Sequence, residues 1–79
     1  MNIGRAAEQA SLTVKTVRYY SDIGIVAPYQ DSKTGYRDYA PEDVAKLQFI
    51  GKARRFDFSI EECRELLSLY QDKIGPARR

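Results

Sequence analysis

The chain has 79 residues, of which 43% are hydrophobic and 30% are charged, and its formal net charge is +2. This composition predicts one small globular domain and excludes a disordered tail. One cysteine and no histidine exclude an internal disulfide and leave no arrangement typical of catalysis, so we do not expect an enzyme. No apolar run approaches the roughly 20 residues that span a bilayer, and we expect a soluble, intracellular protein with no membrane partner.

The first part of the chain has the pattern of two short helices. Apolar residues recur at the i, i+3, i+4, i+7 spacing of one helix face and predict helix 1 over about residues 3–10. Thr13 is placed to cap a second helix, which runs to about Ile23. Gly24 can then adopt the left-handed conformation that ends helices. Two short helices joined by about three residues form a helix-turn-helix.

The next segment has the composition of a β-hairpin. Residues 25–29 are β-prone and residues 36–39 are again extended. Between them, residues 31–35 are rich in turn-forming side chains. The pattern predicts two strands joined by a loop of about five residues.

Two longer helices follow the hairpin. Pro41 suits the first helical position, and a wide apolar face predicts helix 3 over residues 41–55. Ser59 and Glu62 have the spacing of a capping box, which predicts the start of helix 4. The apolar pattern of this helix ends near Asp72.

Together these elements predict a mostly α fold, a winged helix-turn-helix with four helices and a small β-hairpin wing. The domain is predicted to cover residues 1–72. Residues 73–79 are predicted to form a tail, because Gly75 and Pro76 do not readily continue a helix.

Helix 2 carries the side chains best suited to contact nucleic acid. With Val14 and Val17 turned inward, Lys15, Arg18 and Tyr19 form a solvent-facing stripe. Arg and Lys can bond guanine edges or phosphate, Tyr hydroxyls can bond phosphate, and the second helix of this motif enters the major groove. A solvated helix face is the better interpretation of the Lys–Arg pair alone. The preceding helix and turn favour DNA contact.

Two further basic positions can approach a DNA backbone. Arg37, at the flank of the hairpin, can reach a phosphate, or it can simply keep a sheet edge soluble. Basic residues at 52–55 lie at the C-terminus of helix 3, where the helix dipole favours cations without any ligand. The link that follows can instead form a second wing on the DNA backbone. Cys63 lies on the predicted inner face of helix 4, and we expect it to be structural.

Several segments share their order and spacing with a known family. They are Asn2-Ile3-Gly4, Thr16-Val17-Arg18-Tyr19-Tyr20, Asp22-Ile23-Gly24-Ile25-Val26, Gly35-Tyr36-Arg37-Asp38-Tyr39 and the stretch 53–62 with the following Glu65-Leu66-Leu67. Together they resemble the MerR family of transcriptional regulators over about residues 1–72, with most similarity to its copper(I)-responsive branch.

The resemblance implies sequence-specific binding of double-stranded promoter DNA by a homodimer. A ligand- or metal-responsive member distorts the promoter spacer so that RNA polymerase can align with both promoter elements. It also implies a cytoplasmic, nucleoid-associated protein. The DNA contacts that it implies are Lys15, Thr16, Arg18, Tyr19, Tyr20, Tyr36, Arg37 and Arg54.

Two features differ from the family pattern. Asp57 stands where the family usually has glycine, which is expected to alter the turn into helix 4. The family's dimerisation helix and effector segment, with the metal-binding cysteines of the copper branch, would lie beyond Arg79. We therefore expect no cofactor in this chain, although a metal ion such as copper(I) is implied for full-length members. We expect the chain itself to be monomeric or weakly associated.

Two other functions fit parts of the pattern. An excisionase-like architectural protein shares this fold and bends DNA without regulating a promoter. A protein-interaction module would use Tyr19, Tyr36 and Tyr70 as a contact patch. A steep salt dependence of binding to duplex DNA would separate either DNA-binding function from the interaction module.

Overall fold

A computed structural model describes the backbone of residues 1–74 and the side chains of residues 1–69. In chain order, the elements are α1 (Ile3–Ala10), α2 (Val14–Asp22), β1 (Tyr29–Gln30), β2 (Arg37–Asp38), α3 (Pro41–Arg55) and α4 (Ile60–Ile74). Within this described part, the predicted fold of four helices and one small antiparallel hairpin is confirmed. Residues 73 and 74, predicted to lie in the tail, continue α4, and the rest of that tail lies outside the described residues.

The first two helices begin at side-chain caps, of which the one at Thr13 was predicted from the sequence. The Asn2 side-chain oxygen accepts a hydrogen bond from the Arg5 backbone N–H at 2.8 Å. The Thr13 hydroxyl likewise accepts from the Thr16 N–H at 3.0 Å. Each bond satisfies a backbone donor that has no partner within its helix, which defines where α1 and α2 start.

The last two helices also start at side-chain caps. The Asp43 carboxylate accepts from the Ala40 N–H at 2.9 Å, on the N-terminal side of α3. The predicted capping box of α4 is confirmed, because the Ser59 N–H donates to Glu62 at 2.8 Å and the Glu62 N–H donates to Ser59 at 3.1 Å.

Two non-glycine residues adopt left-handed backbone conformations at turns between helices. Ser11 has φ 58° between α1 and α2, and Asp57 has φ 67° between α3 and α4. Glycine adopts such angles without steric cost. Asp57 therefore keeps the backbone conformation that a glycine would adopt there. The substitution relative to the family pattern is expected to change the strain of this turn more than its path.

The first predicted strand is wrong over most of its length, because β1 contains only Tyr29 and Gln30. Ile25 and Val26 lie in a bend after α2, where both backbone N–H groups donate to the Tyr20 carbonyl, at 3.1 and 3.4 Å. These donors close the end of the helix and are not used for strand pairing. Their apolar side chains still reach the core, at 8% and 0% exposure.

The hairpin itself is short. Tyr29 pairs with Asp38 and Gln30 with Arg37, so that the loop covers residues 31–36. The Asp31 carboxylate accepts hydrogen bonds from the backbone N–H groups of Lys33 and Thr34, at 2.7 and 3.2 Å. This is the turn chemistry that the sequence predicts for the segment.

One apolar core joins all the helices and the base of the hairpin. Its buried members are Ala6, Ala7, Ala10, Val17, Tyr20, Ile25, Val26, Tyr39, Val44, Leu47, Ile50, Ala53, Cys63 and Leu67. Three of these are alanines of α1, and small side chains let this helix pack closely against its neighbours. No helix among the described residues is long and apolar enough to cross a membrane.

Candidate nucleic-acid interface

Helix α2 presents a polar face opposite its buried face. Val17 is fully buried, whereas Lys15 and Arg18 are exposed and Tyr19 is 51% exposed. The predicted stripe of these three side chains therefore faces solvent. The prediction that Val14 points inward is wrong, since it is 37% exposed. It begins the helix and lies at the border of the face that Val17 occupies.

Tyr20 is placed differently from the prediction. It is only 6% exposed, because it lies three residues after Val17 on the same helix face. This burial argues against a direct DNA contact, and we assign Tyr20 to the core. Its ring lies 5.7 Å from the Tyr19 ring, at 51°, so that it packs beside the exposed Tyr19 ring. The three-residue spacing from Val17 was a signal that sequence reasoning could have used.

Thr16 lies half-buried in the first turn of α2. Its hydroxyl oxygen accepts from the Thr13 hydroxyl at 2.9 Å. Because a hydroxyl is both donor and acceptor, Thr16 can still donate its own proton outward. Its position beside the N-terminus of α2 suits a contact with a phosphate.

The wing residues lie beside α2. Tyr36 is 55% exposed, while the Arg37 side chain is 24% exposed and its Nη2 lies 2.7 Å from the Asp22 carboxylate. The hydrogen bond to Asp22 raises the pKa of Arg37 above its ordinary value. Arg37 therefore joins the wing to the last turn of α2, a role that the sequence did not indicate.

A second bond connects the same two elements. The buried Tyr39 hydroxyl lies 2.8 Å from the Ser21 hydroxyl, and the Ser21 hydroxyl donates to the Val17 carbonyl at 2.9 Å. Sequence reasoning missed Ser21 and Asp22, because no local pattern indicates which distant residues they bind.

A concave groove of about 330 Å³ lies between α2, the start of α1 and the wing. Arg18 of the predicted recognition helix and both Tyr36 and Arg37 of the wing line it. The structure thus brings together predicted contacts from two separate parts of the sequence. Gln30 also lines this groove, and its amide donates to the Gly35 carbonyl at 3.1 Å within the hairpin.

Arg54 lies apart from this groove, at the end of α3. Its Nη1 donates to the Phe58 carbonyl at 3.0 Å, which ties the link after α3 to the helix. The link exposes Phe56, at 75%, and contains the left-handed Asp57. Arg54 is exposed and keeps other guanidinium donors for a phosphate. This location is compatible with the predicted second wing.

The cysteine offers no metal site in the described part of the chain. Cys63 is fully buried, and burial raises the pKa of its thiol above the ordinary value. Among the described residues, no three His, Cys, Asp or Glu side chains are grouped so that they could hold a metal ion. Copper(I) needs at least two soft ligands, and the described residues do not fit such an ion.

A helix-turn-helix with a basic second helix beside a two-stranded wing defines the class of winged helix-turn-helix domains. The family model "MerR HTH family regulatory protein" matches residues 1–69. The chain belongs to this family.

Curated and solved relatives agree with this assignment. The chain is 55% identical to the HTH-type transcriptional regulator HmrR of Rhizobium leguminosarum bv. viciae, over 92% of this chain and 56% of HmrR. It is 31% identical to the transcription regulator PbrR691 of Ralstonia metallidurans CH34, solved with lead(II), with a TM-score of 0.81 over 94% of this chain and 58% of PbrR691. It is 32% identical to EcmrR in the EcmrR–DNA complex in EcmrR-RPo, with a TM-score of 0.72 over 95% of this chain and 27% of EcmrR. The chain thus spans about half the length of the curated relative.

Proposed function

We propose that this chain is the DNA-binding domain of a MerR-type transcription regulator, which inserts α2 into a major groove and lays its wing on the flanking backbone. The observation that carries the proposal is the shared groove, because Arg18 of α2 and Tyr36 of the wing line the same concave surface. A helix and an adjoining hairpin in this relation suit a base contact and phosphate contacts made at the same time.

The proposed contacts fall into two groups. Lys15, Arg18 and Tyr19 are exposed on α2 and suit base edges or nearby phosphates. Thr16, Tyr36 and the unpaired donors of Arg37 suit phosphates, with Arg54 as a separate contact from the second wing. The first group is proposed to determine which sequence is bound, and the second to orient the domain on the duplex.

For the whole protein we propose a homodimeric, cytoplasmic, nucleoid-associated regulator that responds to a metal ion and acts with RNA polymerase at a promoter. The similarity to PbrR691, solved with lead(II), supports a metal, and the similarity to EcmrR in a DNA complex supports promoter binding. Copper(I) remains our prediction for the ion. The relatives that the chain resembles are transcription regulators, which supports a function other than catalysis.

The test uses a duplex that the wild-type chain selects from a random pool. Arg18→Ala is expected to weaken binding to this duplex by about 1–3 kcal/mol without unfolding the chain, because a good arginine contact to a base is worth this much. Lys46→Ala removes one positive charge from α3, outside the groove, and serves as the matched control.

Fluorescence anisotropy at several salt concentrations gives both affinity and salt dependence. A folded Arg18→Ala variant that binds like the wild type would contradict the assignment of α2. Binding of the wild type to duplex DNA without any salt dependence, or no binding, would favour the protein-interaction module instead.

A further inference from the structure

Two hydrogen bonds connect the wing to the end of α2. Arg37 donates to the Asp22 carboxylate at 2.7 Å, and the Tyr39 and Ser21 hydroxyls lie 2.8 Å apart. Arg37 and Tyr39 come from the returning arm of the hairpin, and Ser21 and Asp22 come from the last turn of α2. The adjacent residues Ser21 and Asp22 of α2 thus bind Tyr39 and Arg37 of the hairpin.

The direction of the Tyr39–Ser21 bond follows from the number of hydroxyl protons. A hydroxyl has one proton, and Ser21 donates its own to the Val17 carbonyl at 2.9 Å. The Tyr39 hydroxyl must therefore donate to the Ser21 oxygen. Since Tyr39 is fully buried, an unpaired hydroxyl there would be costly, so the bond to Ser21 holds the returning arm of the hairpin against the end of α2.

The hairpin needs such contacts to hold its position. It contains only two residue pairs, and an isolated two-stranded hairpin is marginally stable in water. At its base, the Tyr39 N–H donates to the Met1 carbonyl at 2.7 Å. Within the described part of the chain, the Asp22–Arg37 hydrogen bond joins β2 of the wing directly to α2.

Asp22 is an unexpected residue in a surface that binds phosphates. It lines the groove together with Arg18 and Tyr36, and its side chain is 54% exposed. A carboxylate there repels the DNA backbone. The same carboxylate also accepts a hydrogen bond from the guanidinium of Arg37, the residue next to Tyr36.

We infer that Asp22 is a positioning residue of the DNA interface, which holds Arg37 and thereby sets where Tyr36 lies relative to Arg18. The inference rests on the proposed function. The positioning effect exceeds the repulsion, so that Asp22→Ala weakens binding to the selected duplex, by about five- to tenfold, through lost preorganisation. An acid that acted through its charge alone would have the opposite effect when removed.

A double-mutant cycle tests this inference. Tyr36→Ala is introduced into the wild type and into Asp22→Ala, and affinities for the selected duplex are measured by anisotropy. We expect Tyr36→Ala to cost about tenfold in the wild type and less than about twofold in the Asp22→Ala background. Glu65→Ala removes an exposed carboxylate from α4, and there the cost of Tyr36→Ala should equal its cost in the wild type.

Asp22→Asn provides a conservative variant, because its side-chain oxygen can still accept from Arg37. It should retain more of the coupling to Tyr36 than Asp22→Ala does, although both remove the same charge. Circular dichroism verifies that each variant is folded. If Asp22→Ala itself does not fold, Asp22→Ser replaces it in the cycle, because its side chain is too short to reach Arg37, and a cost of Tyr36→Ala that is unchanged in Asp22→Ser overturns the inference.

Two results would overturn the positioning role. One is an equal cost of Tyr36→Ala in the wild type and in folded Asp22→Ala, and the other is tighter binding by Asp22→Ala. With salt-dependent binding by the wild type and a loss in Arg18→Ala, either result overturns this inference alone. No salt-dependent binding by the wild type would overturn the proposed function, and this inference with it.

Discussion

Replacing Asp57 by glycine should stabilise the domain. Asp57 has φ 67°, and an L-residue in this conformation costs about 1–2 kcal/mol, toward the lower end for Asp. Glycine removes that cost but gives the unfolded chain more freedom, which returns about 0.4–1 kcal/mol. Asp57 also follows the C-terminus of α3, where removing a carboxylate is favourable by about 0.3 kcal/mol. The net expectation is a gain of about 0.5–1 kcal/mol in the free energy of unfolding.

Urea and thermal unfolding measure this gain. For a domain of this size, 1 kcal/mol corresponds to a shift of about 4–8 °C in Tm. Asp57→Asn separates the charge from the backbone, since asparagine also tolerates the left-handed region, and it should change stability little. Asp57→Ala should destabilise, because alanine has the same steric problem without a polar side chain.

An opposite sign is expected where glycine enters a regular helix. Ser68 is exposed in α4, and Ser68→Gly should destabilise by about 0.5 kcal/mol. If Asp57→Gly lowered the free energy of unfolding as Ser68→Gly does, the left-handed angle would not be the source of strain. The explanation of the Asp57 substitution would then be wrong.

Three further predictions concern the wing, the cysteine and the chain as a whole. Arg37→Ala should weaken binding to the selected duplex and to random DNA by similar factors, about tenfold, because phosphate contacts carry no sequence information; a loss confined to the selected duplex would contradict this role. Burial raises the pKa of the Cys63 thiol above its ordinary value of 9.0, so the folded state holds this proton more tightly than the unfolded state. The resulting stability is present below that value and is lost as pH rises above it. Cys63→Ala should therefore reduce the fall in the free energy of unfolding that urea titrations measure at high pH. The wild-type thiol should resist iodoacetamide at neutral pH. The 79-residue chain should be monomeric by sedimentation at micromolar concentration. With one cysteine and no histidine, it should lose copper(I) to a competing chelator; a stable dimer would refute the first of these expectations, and tight copper binding the second.

The helices could be predicted because their signals are local. The side-chain caps at Asn2, Thr13 and Ser59 each bind a backbone N–H three residues further on. Both partners of each bond therefore lie within one short stretch of sequence. The same holds for the Asp31 turn. The predicted strand at 25–29 failed for a physical reason that a β-prone composition does not reveal, because its first N–H groups close the end of α2.

The candidate site could be predicted only side chain by side chain. Helical periodicity correctly turns Arg18 and Tyr19 outward, and the same periodicity places Tyr20 inward with Val17, so a motif match alone was insufficient for Tyr20. The relation between α2 and the wing depends on Asp22 and Arg37, which are 15 residues apart. Their pairing requires the turn of the hairpin, the buried Tyr39 ring and the end of α2 to be in place together. A charge pattern cannot distinguish an arginine that is free for phosphate from one already bound to a carboxylate, and here that distinction determines how the wing is expected to act.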